Sequence, residues 1–567
     1  MIKNNIDKVV KSNKGLNKRD IVEKIEDFIN SEKCLEGKVM ILYGLRRTGK
    51  TTAMQQAIES YDKNKCAFYE IEKSDTFDNI KDTIIKDIDK GIDCFCFDEI
   101  TKCEDFIDRA SILADIFAKE GVKIILTGTD SLGFNFANSE LYDRTVQLHT
   151  THIPFAEHCR VLNTNDIDDY IKYGGIMQKS KDEKQVIDYA SACKYLDEAV
   201  SRNIVNSLRR NSRSTCLDAL PENELKTIIE KIVGKYSGSF DKKTMQNYLE
   251  KVTVTQPLKS NDFIKIANTD IIYKLALEEK NITQDFLKEI NADNNIKTTI
   301  TDEIVKTLRD MLIDMDVVSA TKNVVYSHTD EFGWREKLPR YEYYIIQPAI
   351  KYYHLLKGLD FITTSEYYNN NHILSESQKG IYKTKLDEMV KGPMTEQIIV
   401  FDTAKILSKD DYMVLKPSFE VNGVSKGEYD MLIYDKKQYK YWGFEIKHTS
   451  NPFYKQEQHL QNTVLREIID RQYGNRENVC VLYRGNPFIA TSGTIYLNIT
   501  DFSLAVGKYK NIDKVFEKLT KNLPTFDIPK NKDEVVQLHE KLNNVVNEMD
   551  ELVLLKIARD IIPDFES

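Results

Sequence analysis

No apolar run in this chain approaches the roughly 18 residues that a membrane-spanning helix needs. The longest, such as Val39 to Tyr43 and Tyr343 to Ile346, are strand-sized. The opening residues Met1-Ile2-Lys3-Asn4-Asn5 lead into polar sequence with no apolar signal core, so the expectation is a cytoplasmic chain with no membrane partner. The nine cysteines offer neither a second CxxC nor a His pair around Cys94, Cys96 and Cys103. That argues against a zinc site and fits buried thiols in a reducing compartment. A global basic field is missing too: the formal net charge is −9. Overall charge therefore does not mark a nucleic-acid binder, although a local basic groove can sit on an acidic protein. Solenoid-period repeats and long low-complexity tracts are absent. What remains is 567 residues, 41% hydrophobic and 30% charged, enough core-forming material for several domains.

The strongest local signal is Gly44-Leu45-Arg46-Arg47-Thr48-Gly49-Lys50-Thr51, which follows the apolar run Val39 to Tyr43 and opens a helical stretch from Thr52. This is a GxxxxGK[ST] phosphate-binding loop in its strand–loop–helix context. Glycines allow the tight turn, and free amides at the helix start face phosphate. Lys50 is read as reaching the β- and γ-phosphates of ATP, and Thr51 as a Mg²⁺ ligand. Gly44, Arg46, Arg47, Thr48, Gly49, Lys50, Thr51 and Thr52 form the expected nucleotide-contacting set. Further on, Cys94-Phe95-Cys96-Phe97-Asp98-Glu99 is an apolar strand ending in two carboxylates. Asp98 is the expected second Mg²⁺ ligand, and Glu99 the base for the attacking water. Thr127, at the end of the next strand, is a candidate γ-phosphate sensor within Thr127-Gly128-Thr129-Asp130-Ser131. Arg144 is a candidate for offsetting transition-state charge, in cis or from a neighbouring subunit of a homo-oligomer; an ordinary surface arginine fits the same position.

Short strands (39–43, 67–71, 94–97, 122–126, 145–148) alternate with helices near 50–60, 76–90 and 104–119. The alternation predicts a parallel sheet with helices on both faces. The domain reading is an ATPase domain with a helical lead-in (1–152), a helical lid (153–235) and a winged-helix-like middle (236–375). An α/β unit (381–508) and a helical tail (509–567) follow. In the middle region, helical periodicity over 302–315 precedes two strand-like segments, the outline of a winged helix; an α/β connector fits equally. Residues 368–380, with three consecutive Asn, read as a linker.

These motifs resemble the AAA-type ATPase module of a large bacterial and archaeal family of two-part ATP-binding proteins. The resemblance covers about residues 35–160 and rests on the phosphate loop, Asp98-Glu99, Thr127-Gly128-Thr129, Asp143-Arg144, Ile153-Pro154-Phe155-Ala156-Glu157 and Tyr173-Gly174-Gly175. Leu45 stands where the family has Pro, Asp143 where it has Gly, and the Pro-Phe-x-Glu segment is shortened. The change at Asp143 weakens the transfer of a finger role to Arg144.

The C-terminal unit carries a second constellation. Glu445 and Lys447 sit at i and i+2 on a predicted strand and so share a face. If the strand beginning at Asp430 pairs with it as a hairpin, two carboxylates and a lysine converge. Asp430 and Glu445 suit Mg²⁺ or Mn²⁺, with Glu396 from the preceding helix completing the shell. Lys447 is read as positioning the water. This resembles the PD-(D/E)XK nuclease core, a restriction-endonuclease-like α/β domain, over about 385–505. The resemblance implies a domain that commonly follows the ATPase in the family above. Lys455, Gln458, Gln461 and Arg466, on an expected helix over 454–473, are candidate phosphate contacts; a solvated helix face fits them equally. The leading expectation is an ATPase whose nucleotide state controls a metal-dependent nuclease acting on DNA. Two alternatives stay open: an ATP-driven switch whose nuclease-like fold only binds nucleic acid or protein, and a nucleotide-binding signalling scaffold without DNA.

Overall fold

The structure, a computed structural model, describes residues 1–31, 37–103, 105–129, 144–177, 184–210, 216–217, 220–237, 290–331, 333–337, 340–364 and 376–548. Asp130, Ser131, Asp143, residues 238–289 of the middle region, 368–375 of the expected linker and 549–567 of the tail lie outside them.

The first six strands are β1 (Ile2–Asn4), β2 (Val39–Tyr43), β3 (Cys66–Glu70), β4 (Cys94–Asp98), β5 (Lys123–Gly128) and β6 (Thr145–His149). They form one sheet in the order β1-β3-β4-β5-β2-β6, parallel except for the antiparallel edge strand β1. Alternation along β2 explains the layering. Val39 and Ile41 pack with Phe77, Ile80 and Ile84 from the helix Phe77–Ile88. Met40 and Leu42 pack with Val22, Ile25 and Phe28 from the helix Asp20–Asn30, and with Ala53 and Met54 from the helix Lys50–Ala57. Period-2 side chains on a buried strand demand cover on both faces, and the helices supply it.

Eleven strands form the second sheet. They are β7 (Val318–Thr329), β8 (Gly333–Glu336), β9 (Arg340–Ile345), β10 (Tyr412–Val421), β11 (Val424–Glu428), β12 (Met431–Asp435), β13 (Lys440–Ile446), β14 (Asn475–Tyr483), β15 (Phe488–Ala490), β16 (Ile495–Asn498) and β17 (Thr525–Phe526). The order is β17-β15-β16-β14-β13-β12-β10-β7-β8, with β11 on β10 and β9 on β7. β10, β12 and β13 are antiparallel neighbours, and β13 runs parallel to β14 after a crossover through the helix Thr463–Tyr473.

Two expectations change here. The helix Asp302–Asp314 does precede a hairpin, but β7 runs parallel to β10 from Asn323↔Lys416 to His328↔Val421. Val324 and Tyr326 pack with Leu415 and Phe419 in one core, so β7–β9 extend the C-terminal sheet instead of closing a separate winged helix. The expected linker is overrun from residue 376 onward by the helix Glu376–Ile406, which carries Pro393 inside it.

A single core cluster runs from Leu45 in the phosphate loop through Phe155, Tyr170 and Ile171 to Met431, Trp442, Phe444 and Ile446 on one face of the large sheet. Burying each such large side chain contributes roughly 1.5–3 kcal/mol, so the part that carries the first sheet and the C-terminal sheet are packed together through a shared core. Among the described residues, no helix is long and apolar enough to cross a membrane.

Candidate functional site

β2, β4 and β5 are parallel, so Gly44, Asp98 and Gly128 come to one edge of the sheet. The loop leaves β2 with Gly44 at φ 145°, where a Cβ would lie 2.8 Å from the hydroxyls of both Thr150 and Thr151. Gly49, at φ 79°, caps the helix Lys50–Ala57. The buried Lys50 ammonium donates to the carbonyls of Gly44 at 2.9 Å and Leu45 at 2.8 Å. Burial pushes its pKa down to about 8, against the pull of Glu99 and Asp98. Such a cation, held by loop carbonyls at the start of a helix, is placed for phosphate.

The Thr51 hydroxyl donates to both Asp98 oxygens at 3.0 Å. A hydroxyl and a carboxylate at this distance form an all-oxygen donor set that fits Mg²⁺. Thr127 is fully buried; its hydroxyl donates to Asp98 and accepts the Glu99 amide at 3.2 Å. These bonds tie Thr127 to the Asp98–Glu99 carboxylate pair. Glu99 sits at φ 57°, a left-handed backbone uncommon for this residue, and Thr129 donates to its Oε2 at 3.3 Å. Arg47 is also left-handed, at φ 62°; its side chain donates to Gln185, while its carbonyl accepts the Met177 amide at 2.8 Å.

Arg144 stands elsewhere. Val39 pairs with Thr145, and the Arg144 carbonyl accepts the Val39 amide at 2.9 Å. This is the amino end of the strands, about 17 Å of extended chain from the phosphate loop. Its Nε lies 3.2 Å from Asp115. A cis role at the phosphates is thus corrected by strand direction; a role at a neighbouring subunit's site remains a proposal.

Three bracing residues, Arg19, Thr150 and Thr151, carried no signal in the sequence, while their partners Glu157, Thr48 and Leu45 lie in its motifs. Arg19 pairs bidentately with Glu157 at 2.9 Å and donates to the Thr48 carbonyl, and all three are buried. Burial opposes ionisation of Glu157, but Arg19 and the Asp20 amide outweigh it and hold the carboxyl below its ordinary value. The Thr48 and Thr150 hydroxyls meet at 2.9 Å, and Thr151 accepts the Leu45 amide at 3.1 Å. Apart from Arg19 and Thr48, 29 residues apart, the partners lie more than a hundred residues apart, which hides them from local pattern. Cys94, Cys96 and Cys103 are buried free thiols.

In the C-terminal sheet, the register Met431↔Phe444 puts Asp430 opposite Glu445. Lys447 bridges the two, 2.9 Å from Asp430 and 2.5 Å from Glu445, and the Ile446 amide donates to Asp430 at 2.7 Å. Both carboxylates are buried. Burial and the adjacent Asp430 push Glu445 up to about 8. Burial would raise Asp430 as well, but Lys447 and the Ile446 amide hold it below its ordinary value. Glu396 accepts a close ion pair from Lys416, a residue the sequence gave no reason to single out. Burial and Asp430 raise the Glu396 pKa. Among the described residues, no group of three or more His, Cys, Asp and Glu side chains is arranged to hold a metal ion. The expected three-carboxylate shell is not assembled among the described residues, where Glu396 is paired with Lys416. The Asp430–Glu445–Lys447 convergence does form.

The first of these sites has the composition of a P-loop nucleoside-triphosphate site: loop, cation, hydroxyl and carboxylate at one sheet edge. Residues 36–159 match the family model of an AAA domain, which suggests ATPase activity and implies nucleotide binding, usually with Mg²⁺. No curated protein matches the chain.

Proposed function

We propose that the chain hydrolyses ATP at the Lys50–Asp98–Glu99 site and that its nucleotide state controls a metal-dependent nuclease site at Asp430, Glu445 and Lys447, acting on DNA. In the first site Lys50 binds phosphate, Thr51 and Asp98 would hold Mg²⁺, and Glu99 takes the proton of the attacking water. Bound Mg²⁺ would offset charge on the phosphates.

The observation that carries the nuclease reading is the cross-strand convergence of Asp430 and Glu445 on Lys447, in a succession of the helix Glu376–Ile406, the four strands β10–β13, the helix Thr463–Tyr473 and β14. Mg²⁺ is commonly held by one or two carboxylates together with substrate phosphates, so this pair suffices as a protein donor set. A bound metal there would activate water and stabilise charge on the phosphoryl group. Lys447 is the residue to orient the water once its carboxylate partners turn to a metal. The experiment is incubation with linear, circular and branched DNA in Mg²⁺ or Mn²⁺, with and without ATP.

A second reading, an ATP-driven switch whose C-terminal fold only binds nucleic acid or protein, is favoured by one observation. Lys447 already neutralises the carboxylate pair, and Glu396 is engaged by Lys416. Binding of DNA without cleavage in any metal would select it.

A further inference from the structure

One residue beyond Lys447 and one beyond the end of β14, two basic side chains leave the sheet together. The ladder continues past the strands: the Lys447 amide donates to the Leu482 carbonyl and the Arg484 amide to the Thr449 carbonyl, both at 2.8 Å. This fixes His448 and Arg484 side by side, with His448 Nε2 3.4 Å from Arg484 Nη1. Both turn to an acid from the other part of the chain. His448 Nε2 lies 2.7 Å from Asp168 Oδ1, and Arg484 Nη1 donates to Asp168 Oδ2 at 3.0 Å. Arg484 Nη2 reaches Asp166 at 3.6 Å. Lys391, on the helix that carries Glu396, stands 3.8 Å from Asp168 but has its own partner, Asp387, at 2.6 Å.

We propose that His448 and Arg484 form a binding site for a backbone phosphate of nucleic acid, which Asp168 occupies as an internal stand-in. The inference rests on the nucleic-acid reading of the Asp430–Glu445 site. An arginine fork spread over two acids, beside an imidazole, is the donor arrangement that a phosphate takes. The His448 side chain is 5% exposed, buried against Asp168. Arg484 is 34% exposed, which leaves the contact open to solvent and within reach of a ligand. Asp168 itself is 21% exposed, so a phosphate can approach the pair from solvent. Burial opposes the charge on Asp168, but His448, Arg484 and Lys391 draw its pKa down to about 2, so it occupies the site as an anion.

The stand-in is also tied to the nucleotide site. Asp168 lies on the helix Ile167–Tyr173, and the chain then runs through Gly174, Gly175 and Ile176 to Met177, whose amide donates to the Arg47 carbonyl of the phosphate loop at 2.8 Å. Ile167, Tyr170 and Ile171 share a core with Leu45 of that loop. Rearrangement of the loop around a triphosphate therefore bears on the helix that holds Asp168.

The test is the affinity of the full-length protein for a fluorescent DNA duplex, read by anisotropy over a series of salt concentrations. Wild type, Asp168→Asn, Arg484→Gln and the double variant are compared, with Asp166→Asn as a milder probe at the exposed rim. Removing Asp168's charge should tighten binding about tenfold and steepen the salt dependence by about one ion, because one phosphate contact is gained. Asp166→Asn should gain about two- to threefold on the same grounds. Adding Arg484→Gln to Asp168→Asn should abolish the gain. Melting temperature and ATP turnover of each variant establish that it is folded. Wild-type affinity in both Asp168→Asn and Asp166→Asn overturns the inference, leaving Asp168 as a tie between the two parts. A gain that millimolar inorganic phosphate erases overturns the assignment to nucleic acid in favour of free phosphate. DNA cleavage is measured in parallel: a gain in binding without cleavage in any metal removes the nuclease reading but supports this site, whereas cleavage without the gain removes this site alone.

Discussion

The imidazole of His152 and the carboxylate of Asp402, 250 positions apart in the chain, meet at 2.7 Å in a buried contact. Asp402 also accepts the Phe155 amide at 2.6 Å. His152 follows Thr150 and Thr151, whose hydroxyls brace Thr48 and the Leu45 amide of the phosphate loop. Asp402 lies on the helix Glu376–Ile406, which also carries Glu396. The contact thus joins the loop that holds phosphate to the helix beside the second carboxylate site.

If this contact transmits nucleotide state, Asp402→Asn should leave the Kd for ATP within about threefold of wild type while removing most of the effect of ATP on the C-terminal site. The check is ATP binding by calorimetry alongside DNA cleavage or DNA binding with and without nucleotide. An undiminished response to ATP in Asp402→Asn would rule the contact out as the link.

Glu99→Gln should bind ATP but hydrolyse it at least ~100-fold more slowly, since the water loses its base. Lys50→Ala should instead weaken binding, because the phosphates lose their principal cation. Single-turnover hydrolysis with separately measured affinity distinguishes the two. Normal turnover in Glu99→Gln would remove the residue from the mechanism.

ATP affinity should depend on pH through Lys50. Phosphates favour the charged ammonium, and burial sets its pKa at about 8 without them. Well below that pH the lysine is already charged and affinity is flat. As pH rises past 8, binding must take up a proton, and affinity should fall by up to about tenfold per pH unit until the pKa of the complex is reached. Titrations from about pH 6.5 to 9.5 test this, with Lys50→Met expected to flatten the profile. A wild-type affinity that rises above pH 8 would contradict the assignment.

Breaking the Arg19–Glu157 pair from one side should cost about 3–5 kcal/mol, because a buried charge is left alone. Glu157→Gln is the test, with urea unfolding followed at the ATPase part. The double change Arg19→Met with Glu157→Leu should recover most of the loss. A cost below about 1 kcal/mol for Glu157→Gln would place the pair among contacts of little consequence.

How much of this was legible in the sequence differs between the two sites for physical reasons. The phosphate loop and Asp98-Glu99 are local patterns attached to period-2 strands, and the parallel sheet brings them to one edge as those patterns imply. The hairpin joining Asp430 to Glu445 was readable because alternating strands with a short connection have few ways to pair. The cis option for Arg144 does not fit its place at the amino end of β6; spacing alone does not tell which end of a strand a residue occupies. Glu396 was expected at a metal because its partner Lys416 lies on another element. The winged-helix outline failed because a helix and hairpin look the same whether or not the long strand finds a further neighbour, here β10. Arg19, Thr150, Thr151, His448 and Arg484 act through partners distant in the chain, and no local pattern announces such contacts.

The central claim is that the Asp430–Glu445–Lys447 site cleaves nucleic acid under nucleotide control. Its most direct measurement is the rate of cleavage of supercoiled and linear DNA by wild type and Glu445→Gln, in Mg²⁺, Mn²⁺ and chelator, with ATP, a non-hydrolysable analogue or no nucleotide. The account predicts metal-dependent cleavage by wild type at a rate that changes with nucleotide. It predicts a loss of at least ~100-fold in Glu445→Gln, with ATP hydrolysis retained. Absence of cleavage under every metal and nucleotide condition, or equal cleavage by Glu445→Gln, would contradict it.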